Sequence, residues 1–455
     1  MTKILYTCQN CGAQSPKWMG KCTTCGEWNT YVEEIVEKKK NTGKISTQLS
    51  ANQPLTLENI SAEKTQRIPS GIFEFDRVLG GGIVPGSLIL LGGDPGIGKS
   101  TLALQLALRL NQKKVLYISG EESLQQIKLR AERLEISNNQ CLFLCETLLE
   151  QIIAHTEQVN PDLLIIDSIQ TISTETIESS PGSVSQVREC TSAILKFAKK
   201  NHVAVILIGH INKEGSLAGP KVLEHMVDTV LQFEGDTNYM YRILRSIKNR
   251  FGSTNELGIF EMRGDGLKEI LNPSEQLISK INYDVSGTAI SATIEGVRPF
   301  LIEIQALVST AAYGTPQRSS TGFDLRRLNM LLAVLEKRAG FKLIQKDVFL
   351  NIAGGLRISD PAVDLAVISS ILSSNIDRTI DHKTCFAGEV GLTGEIRAVS
   401  RIEQRVAEAA KLGFHKIFVP EMNKGFDGSK FKIEIVKAGR VEEVFRKIFG
   451  KNENG

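Results

Sequence analysis

The segment Gly93-Asp94-Pro95-Gly96-Ile97-Gly98-Lys99-Ser100 constrains this chain more than any other. It matches G-x4-G-K-[ST], a pattern that works only with a strand before it and a helix after it. Backbone N–H groups and a helix N-terminus must converge on phosphate oxygens, and the glycines leave room for them to do so. The apolar run Ser87–Gly92 reads as the strand, and Thr101–Asn111 reads as the helix. In that setting Lys99 would reach the β- and γ-phosphates of ATP, Ser100 would ligate Mg2+, and Thr101 would continue the cradle. A glycine-rich helix cap is the other reading of the same residues.

Further apolar runs follow at Val115–Ser119, Leu142–Cys145, Leu163–Asp167 and Ala204–Gly209, with helical stretches such as Val184–Asn201 between them. The alternation over residues 66–270 predicts an α/β domain whose mostly parallel sheet carries helices on both faces. Asp167 ends one strand and would hold the Mg2+ shell. Ser168 follows it, so no glutamate stands there to act as a base. Glu121 and Glu122 follow the Val115–Ser119 strand, and C-terminal strand ends of a parallel sheet open on one crevice. Glu121 would polarise the attacking water, with Glu122 as the second candidate. Helix-start acids favoured by the macrodipole are the alternative.

Four of the eight cysteines sit in the first 25 residues. Cys8 with Cys11, and Cys22 with Cys25, form two C-x2-C pairs, each followed by a glycine (Gly12, Gly26). Tetrahedral Zn2+ takes two thiolates from each such turn, and four thiolates leave no open position for catalysis. Residues 1–30 are too few to bury a sufficient core, so the metal would supply much of their stability. Reduced unliganded thiols and a redox pair are the alternatives. Residues 31–65 hold the Lys38-Lys39-Lys40 run and many small polar residues, and read as a flexible linker. After Pro273 the pattern changes. Ala289–Ile294 and Leu301–Val308 read as hairpin strands around Gly296-Val297-Arg298-Pro299. Helix, strand and helix follow, then a strand-like Phe386–Val390 and a helix at Ile402–Leu412. Residues 273–455 therefore form a second α/β domain.

Net charge is 54 − 51 = +3, so nucleic-acid contacts must come from local patches. No run approaches the roughly 18 apolar residues of a membrane helix. The N-terminus is polar by its seventh residue, unlike a secretory signal, which makes the cytoplasm the expected location.

Several segments together carry a family resemblance. Ser70-Gly71, with Asp76-Arg77-Val78-Leu79-Gly80-Gly81-Gly82, looks like the entry to a RecA-type ATPase core. Gly209-His210-Ile211-Asn212-Lys213-Glu214-Gly215, Ala218-Gly219-Pro220, Leu223-Glu224-His225 and Lys248-Asn249-Arg250-Phe251-Gly252 resemble the RadA (Sms) family of bacterial DNA-repair ATPases. So do the cysteine module and the C-terminal domain; only residues 34–65 stand outside the likeness. The resemblance implies a hexameric, DNA-dependent ATPase that binds single-stranded and branched DNA. Such a protein drives branch migration of recombination intermediates together with the RecA recombinase. It makes 209–225 a DNA-facing loop, with Lys213 and Lys221 at phosphates, and Lys248–Gly252 a signature that couples ATP to DNA. Phosphoryl transfer also gains from a cation reaching the γ-phosphate from a neighbouring subunit. Lys248 and Arg250 are the candidates for that cation and for DNA contact. Without the family, a basic turn after the strand-like Tyr239–Ile247 is solvated surface.

Two other functions are open at this stage. One is a RecA-like ATPase that serves protein partners instead of DNA, with the zinc module as adaptor. An ATP-dependent protease is the other, because Gly354-Gly355, Asp360-Pro361-Ala362-Val363-Asp364 and Val390-Gly391-Leu392-Thr393-Gly394-Glu395 resemble the Lon fold. Lon-type enzymes pair a serine with a lysine base. Here the serine position falls at Ala362 and the lysine position at or near Arg405, whose guanidinium cannot take a proton. Ser359 is three residues out of register. A scaffold without peptidase activity is expected, with Arg298, Arg326 and Arg327 either duplex contacts or ordinary surface charge.

Overall fold

A computed structural model describes residues 2–8, 13–37, 66–210, 222–235, 240–278, 285–311 and 315–450. They fall into two compact units, Met1–Glu234 with Arg242–Glu269, and Gly235–Tyr241 with Ile270–Gly455.

The N-terminal cysteines sit on a three-stranded antiparallel sheet of β1 (Thr2–Cys8), β2 (Gln14–Ser15) and β3 (Tyr31–Glu37), in the order β2-β1-β3. β1 and β3 pair along their whole length, from Thr2 opposite Glu37 to Cys8 opposite Tyr31. The sheet thus runs past residue 30 into the stretch read as linker. Tyr31, Val32, Ile35 and Val36 favour a pleated strand, and β1 offers a ladder partner that a local reading does not reveal.

The ATPase core follows. Its elements are α1 (Phe73–Leu79), β4 (Leu88–Gly93), α2 (Lys99–Arg109), β5 (Val115–Ser119), α3 (Leu124–Arg133), β6 (Cys141–Cys145) and α4 (Leu149–Val159). Next come β7 (Leu163–Asp167), α5 (Val184–Asn201), β8 (Ala204–His210), α6 (Val222–Met226), β9 (Thr229–Glu234), β10 (Tyr241–Asn249), β11 (Leu257–Arg263) and β12 (Gly266–Glu269). All nine strands form one sheet in the order β12-β11-β10-β9-β4-β8-β7-β5-β6. From β9 to β6 the pairing is parallel throughout. Alternate strand residues enter opposite cores. Ile89, Leu91, Ile165 and Ile206 join Leu102 and Leu106 of α2 and Ile127 of α3. Leu88, Leu90, Leu164 and Val205 join Ile152 of α4 with Val187, Ile194 and Phe197 of α5. Burial on both faces is why these strands read as unbroken apolar runs. Beyond β9 the sheet changes direction: β10 runs antiparallel to β9, and β11 pairs antiparallel with β12. That extension was not legible, apart from one strand-like stretch.

The second unit holds α7 (Pro273–Leu277), β13 (Thr288–Glu295), β14 (Arg298–Thr310), β15 (Arg318–Thr321), α8 (Leu325–Ala339), β16 (Lys346–Ile352) and α9 (Asp364–Ile376). It continues with β17 (Thr384–Phe386), β18 (Glu389–Val390), β19 (Ile396–Arg397), α10 (Ile402–Lys411), β20 (Lys416–Pro420), β21 (Glu434–Ala438) and α11 (Val441–Phe449). A seven-stranded mixed sheet runs β15-β16-β14-β13-β17-β20-β21, and β18 pairs only with β19. The predicted hairpin is β13–β14, closed by the two residues between the facing Glu295 and Arg298. The stretch 386–390, read as one strand, is split between β17 and β18. The ladder is interrupted at Gly388, whose N–H donates to the Ala362 carbonyl at 2.8 Å and not to a neighbouring strand.

Candidate functional site

β4 delivers the glycine-rich segment, and α2 begins at Lys99 itself, two residues earlier than the sequence suggests. Gly96 and Gly98 have φ of 76° and 111°, backbone that side chains other than glycine rarely adopt. The first amides of α2 have no side-chain cap, since Gly98 occupies the N-cap. They form an uncommitted, electropositive cradle of the kind that holds phosphate. Lys99 lies buried within it and donates to the carbonyl oxygens of Gly93 (2.8 Å) and Asp94 (2.9 Å). Burial lowers its pKa, while Asp167, Glu121 and Asp94 draw it back up.

Asp167 ends β7, and Ser119 faces it across the ladder from β5. The Asp167 carboxylate is buried and accepts a hydrogen bond from the Tyr117 hydroxyl at 2.7 Å. Its Oδ1 is buried without a hydrogen-bond partner. Burial raises its pKa, and the Tyr117 and Ser100 hydroxyls oppose that shift. An unsatisfied carboxylate oxygen beside the first serine of α2 fits a hard divalent cation. The Asp167–Ser168 peptide is cis.

The two acids after β5 part company. Their backbone N–H groups both donate to Ser119 Oγ, at 3.3 Å for Glu121 and 2.9 Å for Glu122. Glu122 turns to Arg130 on α3 and is ion-paired there. Glu121 turns the other way and accepts a hydrogen bond from the Ser168 hydroxyl, next to Asp167. Lys99, Ser100, Asp167 and Glu121 are thus gathered at the C-terminal ends of β4, β5 and β7. Tyr117 and Arg130, which hold two of the acids in place, escaped the sequence reading. A tyrosine among aliphatic strand residues was the available signal, because a buried hydroxyl needs a partner.

Lys248 and Arg250 sit elsewhere. Lys248 lies within β10 and not on a turn after it. Its Nζ donates to the carbonyl oxygens of Glu224 (2.7 Å), Val227 (2.8 Å) and His225 (3.2 Å), at the end of α6. Arg250 is 55% exposed and pairs with the buried Asp228 at 3.4 Å. Asp228 also accepts from the N–H of Leu88, the first residue of β4, at 3.1 Å. The basic motif therefore stands at the N-terminal end of β4, about 17 Å of strand from the phosphate cradle at its other end. Lys213 and Lys221 lie outside the described residues, as does Cys11.

Cys8, Cys22 and Cys25 converge, with their sulfur atoms all within 4.8 Å of one another. Cys8 Sγ and Cys25 Sγ are 3.7 Å apart. A tetrahedron with Zn–S bonds of about 2.3 Å has edges of about 3.8 Å, so the spacing fits zinc. The Tyr31 hydroxyl donates to Cys22 Sγ at 3.6 Å, and that contact pushes its pKa up to about 12.

In the second unit Ala362 is buried and Arg405 is 1% exposed. The Arg405 guanidinium donates to Asp360 Oδ2 (2.5 Å), to the Ala292 carbonyl (2.8 Å) and to the Ser400 carbonyl (3.0 Å). Ser359 Oγ lies 3.5 Å from Glu295 Oε1, a carboxylate and not an amine base. Two of the arginines offered as duplex contacts are committed internally. Arg298 is buried and donates to the carbonyls of Ile270 and Leu271. Arg327 pairs with the buried Asp364, 3.0 Å from Nε to Oδ1. Arg326 is exposed.

Among the described residues no helix is long and apolar enough to cross a membrane. The rubredoxin metal binding domain family matches residues 6–33, an AAA domain family residues 58–216, and the ChlI subunit of Mg-chelatase residues 319–423. The DNA repair protein RadA of Bacillus subtilis is 51% identical over 456 residues, 99% of each chain. That of Listeria monocytogenes is 50% identical over 444 residues, 97% of each chain. The RadA of Halalkalibacterium halodurans is 48% identical over 453 residues, 99% of each chain. A zinc module, a RecA-like P-loop ATPase core and a Lon-protease-like domain follow one another along this chain, and identity of this order extends through all three. The chain belongs to the RadA family of DNA repair proteins.

Proposed function

We propose that this protein is a DNA-dependent ATPase of recombinational repair. It binds single-stranded and branched DNA as a homo-hexameric ring and drives branch migration of recombination intermediates with the RecA recombinase. The observation that carries the reading is the gathering of Lys99, Ser100, Asp167 and Glu121 in a chain with full-length RadA relatives. The backbone of Gly93–Thr101 and the Lys99 ammonium hold the ATP phosphates. Ser100 and Asp167 hold Mg2+, which when bound offsets charge on the phosphate oxygens. Glu121 takes a proton from the attacking water through its carboxylate. Lys213 and Lys221 meet DNA phosphates, and Lys248 and Arg250 meet DNA or the γ-phosphate of a neighbouring subunit. Cys8, Cys11, Cys22 and Cys25 hold a structural zinc.

Residues 1–37 act as the zinc module, because β3 extends it beyond the predicted boundary at residue 30; 38–65 act as the linker, 66–270 as the motor and 273–455 as a scaffold without peptidase activity, all in the cytoplasm. Ala362 has no nucleophile, and Arg405 is spent on Asp360. The test is ATP turnover with and without single-stranded DNA. Stimulation by DNA supports the reading; DNA-independent turnover that responds to a protein partner would replace it with the adaptor ATPase.

A further inference from the structure

The two C-x2-C turns bring sulfur atoms together, and two neighbouring residues outside both turns reach those sulfur atoms as well. Tyr31 is 5% exposed, and its hydroxyl donates to Cys22 Sγ at 3.6 Å. Thr30 Oγ1 lies 3.1 Å from Cys8 Sγ. We propose that Thr30 and Tyr31 are positioning residues of the zinc site, each donating a hydroxyl hydrogen bond to a thiolate of a different C-x2-C pair. The inference rests on the cysteines holding zinc.

The backbone explains how consecutive residues serve one centre. Successive strand residues point to opposite faces, so two neighbours within a strand cannot share a metal site. Thr30 stands just before β3, which begins at Tyr31, and escapes that alternation. Asn29 has φ of 55°, and its N–H donates to the Gly20 carbonyl at 2.7 Å, tying this stretch to the second cysteine pair. Tyr31 is tied to the first pair, facing Cys8 across the ladder. Its carbonyl accepts from Trp18 Nε1 at 3.2 Å, which holds the backbone that carries the phenol. Four thiolates outweigh the charge of one Zn2+ and leave negative charge on sulfur. Of the three described cysteines here, Cys8 and Cys22 are buried and Cys25 is half-buried. Burial denies the first two the water that would disperse their charge, and the hydroxyls supply hydrogen bonds in its place. A thiolate carries no proton, so with metal bound Thr30 is the donor of its pair.

The experiment is competition for zinc between the full-length protein and a chromogenic chelator. It is repeated with Co2+, whose thiolate-to-metal absorption band reports how firmly sulfur holds its electrons. Tyr31→Phe keeps the ring and Thr30→Val keeps the shape, so each removes only a hydroxyl. Each should lower metal affinity about tenfold, and both together about a hundredfold. The Co2+ band should move to longer wavelength, because a thiolate without its hydrogen bond gives up an electron more easily. Thr30→Ser keeps the hydroxyl and should leave both readouts near those of the wild type. Unchanged affinity in either single variant would overturn the proposal. So would weaker binding with an unmoved band, which marks the two residues as packing around the site. The underlying reading fails separately, if the wild-type chain takes up no zinc.

Discussion

Lys99 holds a partly desolvated ammonium against two carbonyl oxygens of its own loop, ready to exchange them for phosphate oxygens. Its contribution is therefore charge at the phosphates and not core packing. Lys99→Ala should lower ATP turnover by a hundredfold or more while the thermal unfolding midpoint stays near that of the wild type; near-normal turnover would contradict the assigned cradle. Arg405 is the opposite case, a buried cation whose Nε and Nη1 donors are all directed to partners inside the fold. Removing it leaves Asp360 with an uncompensated charge in a poorly solvated place. Arg405→Ala should destabilise the second unit by about 3–5 kcal/mol, seen as lost amide-exchange protection in β13 and α10. Unaltered protection would mean that Asp360 finds another partner.

Among elements, the three-stranded sheet at the N-terminus is the one least able to stand on apolar burial. Its own core among the described residues is Cys8, Cys22 and Tyr31, with Tyr6, Ala13, Met19 and Cys25 around it. Two of the three central residues are metal ligands in the proposed site, so the metal and the fold are one equilibrium. Cys8→Ser should release zinc and abolish exchange protection in β1 and β3, with DNA-independent ATP turnover kept within about twofold. Zinc content per chain is the direct readout, and full occupancy in the variant would exclude Cys8 as a ligand. Thiolate ligation also fixes the sign of the pH effect: acid protonates the sulfur atoms, so zinc is lost as pH falls and not as it rises.

For the whole molecule, the decisive fact is that the cradle and the Lys248–Gly252 motif occupy opposite ends of β4. A side chain does not cross about 17 Å of strand, so any γ-phosphate that Lys248 or Arg250 meets belongs to another subunit. Lys248 must also leave three carbonyl oxygens at the end of α6 to get there. α6 forms the last part of the stretch 209–225 read as DNA-facing, which makes its C-terminal end a natural place to link the two ligands. Lys248→Ala and Arg250→Ala should cut DNA-stimulated turnover at least tenfold and leave ATP binding largely intact. Mixing either variant with wild-type chains should depress activity more than in proportion. A strictly linear loss on mixing would place the motif's action within one subunit.

The sequence alone determined the features whose physics is local. G-x4-G-K-S works only between a strand and a helix, two C-x2-C turns are spaced for one metal, and doubly buried strands must read as apolar runs. It also set Asp167 at a strand end, with Glu121 and Glu122 after the neighbouring strand, where the structure has them. Which of the two turns towards Asp167 was a tertiary matter, since neighbouring glutamates are equivalent until Arg130 and Ser168 claim one each. Tertiary structure alone assigned Arg298 and Arg327 to interior partners, since an arginine looks the same in sequence whether it is solvated or buried against carbonyls. The register of β3 on β1 and the antiparallel extension of the main sheet were likewise invisible. Strand pairing is a property of residues far apart in the chain, and local periodicity carries no record of the partner.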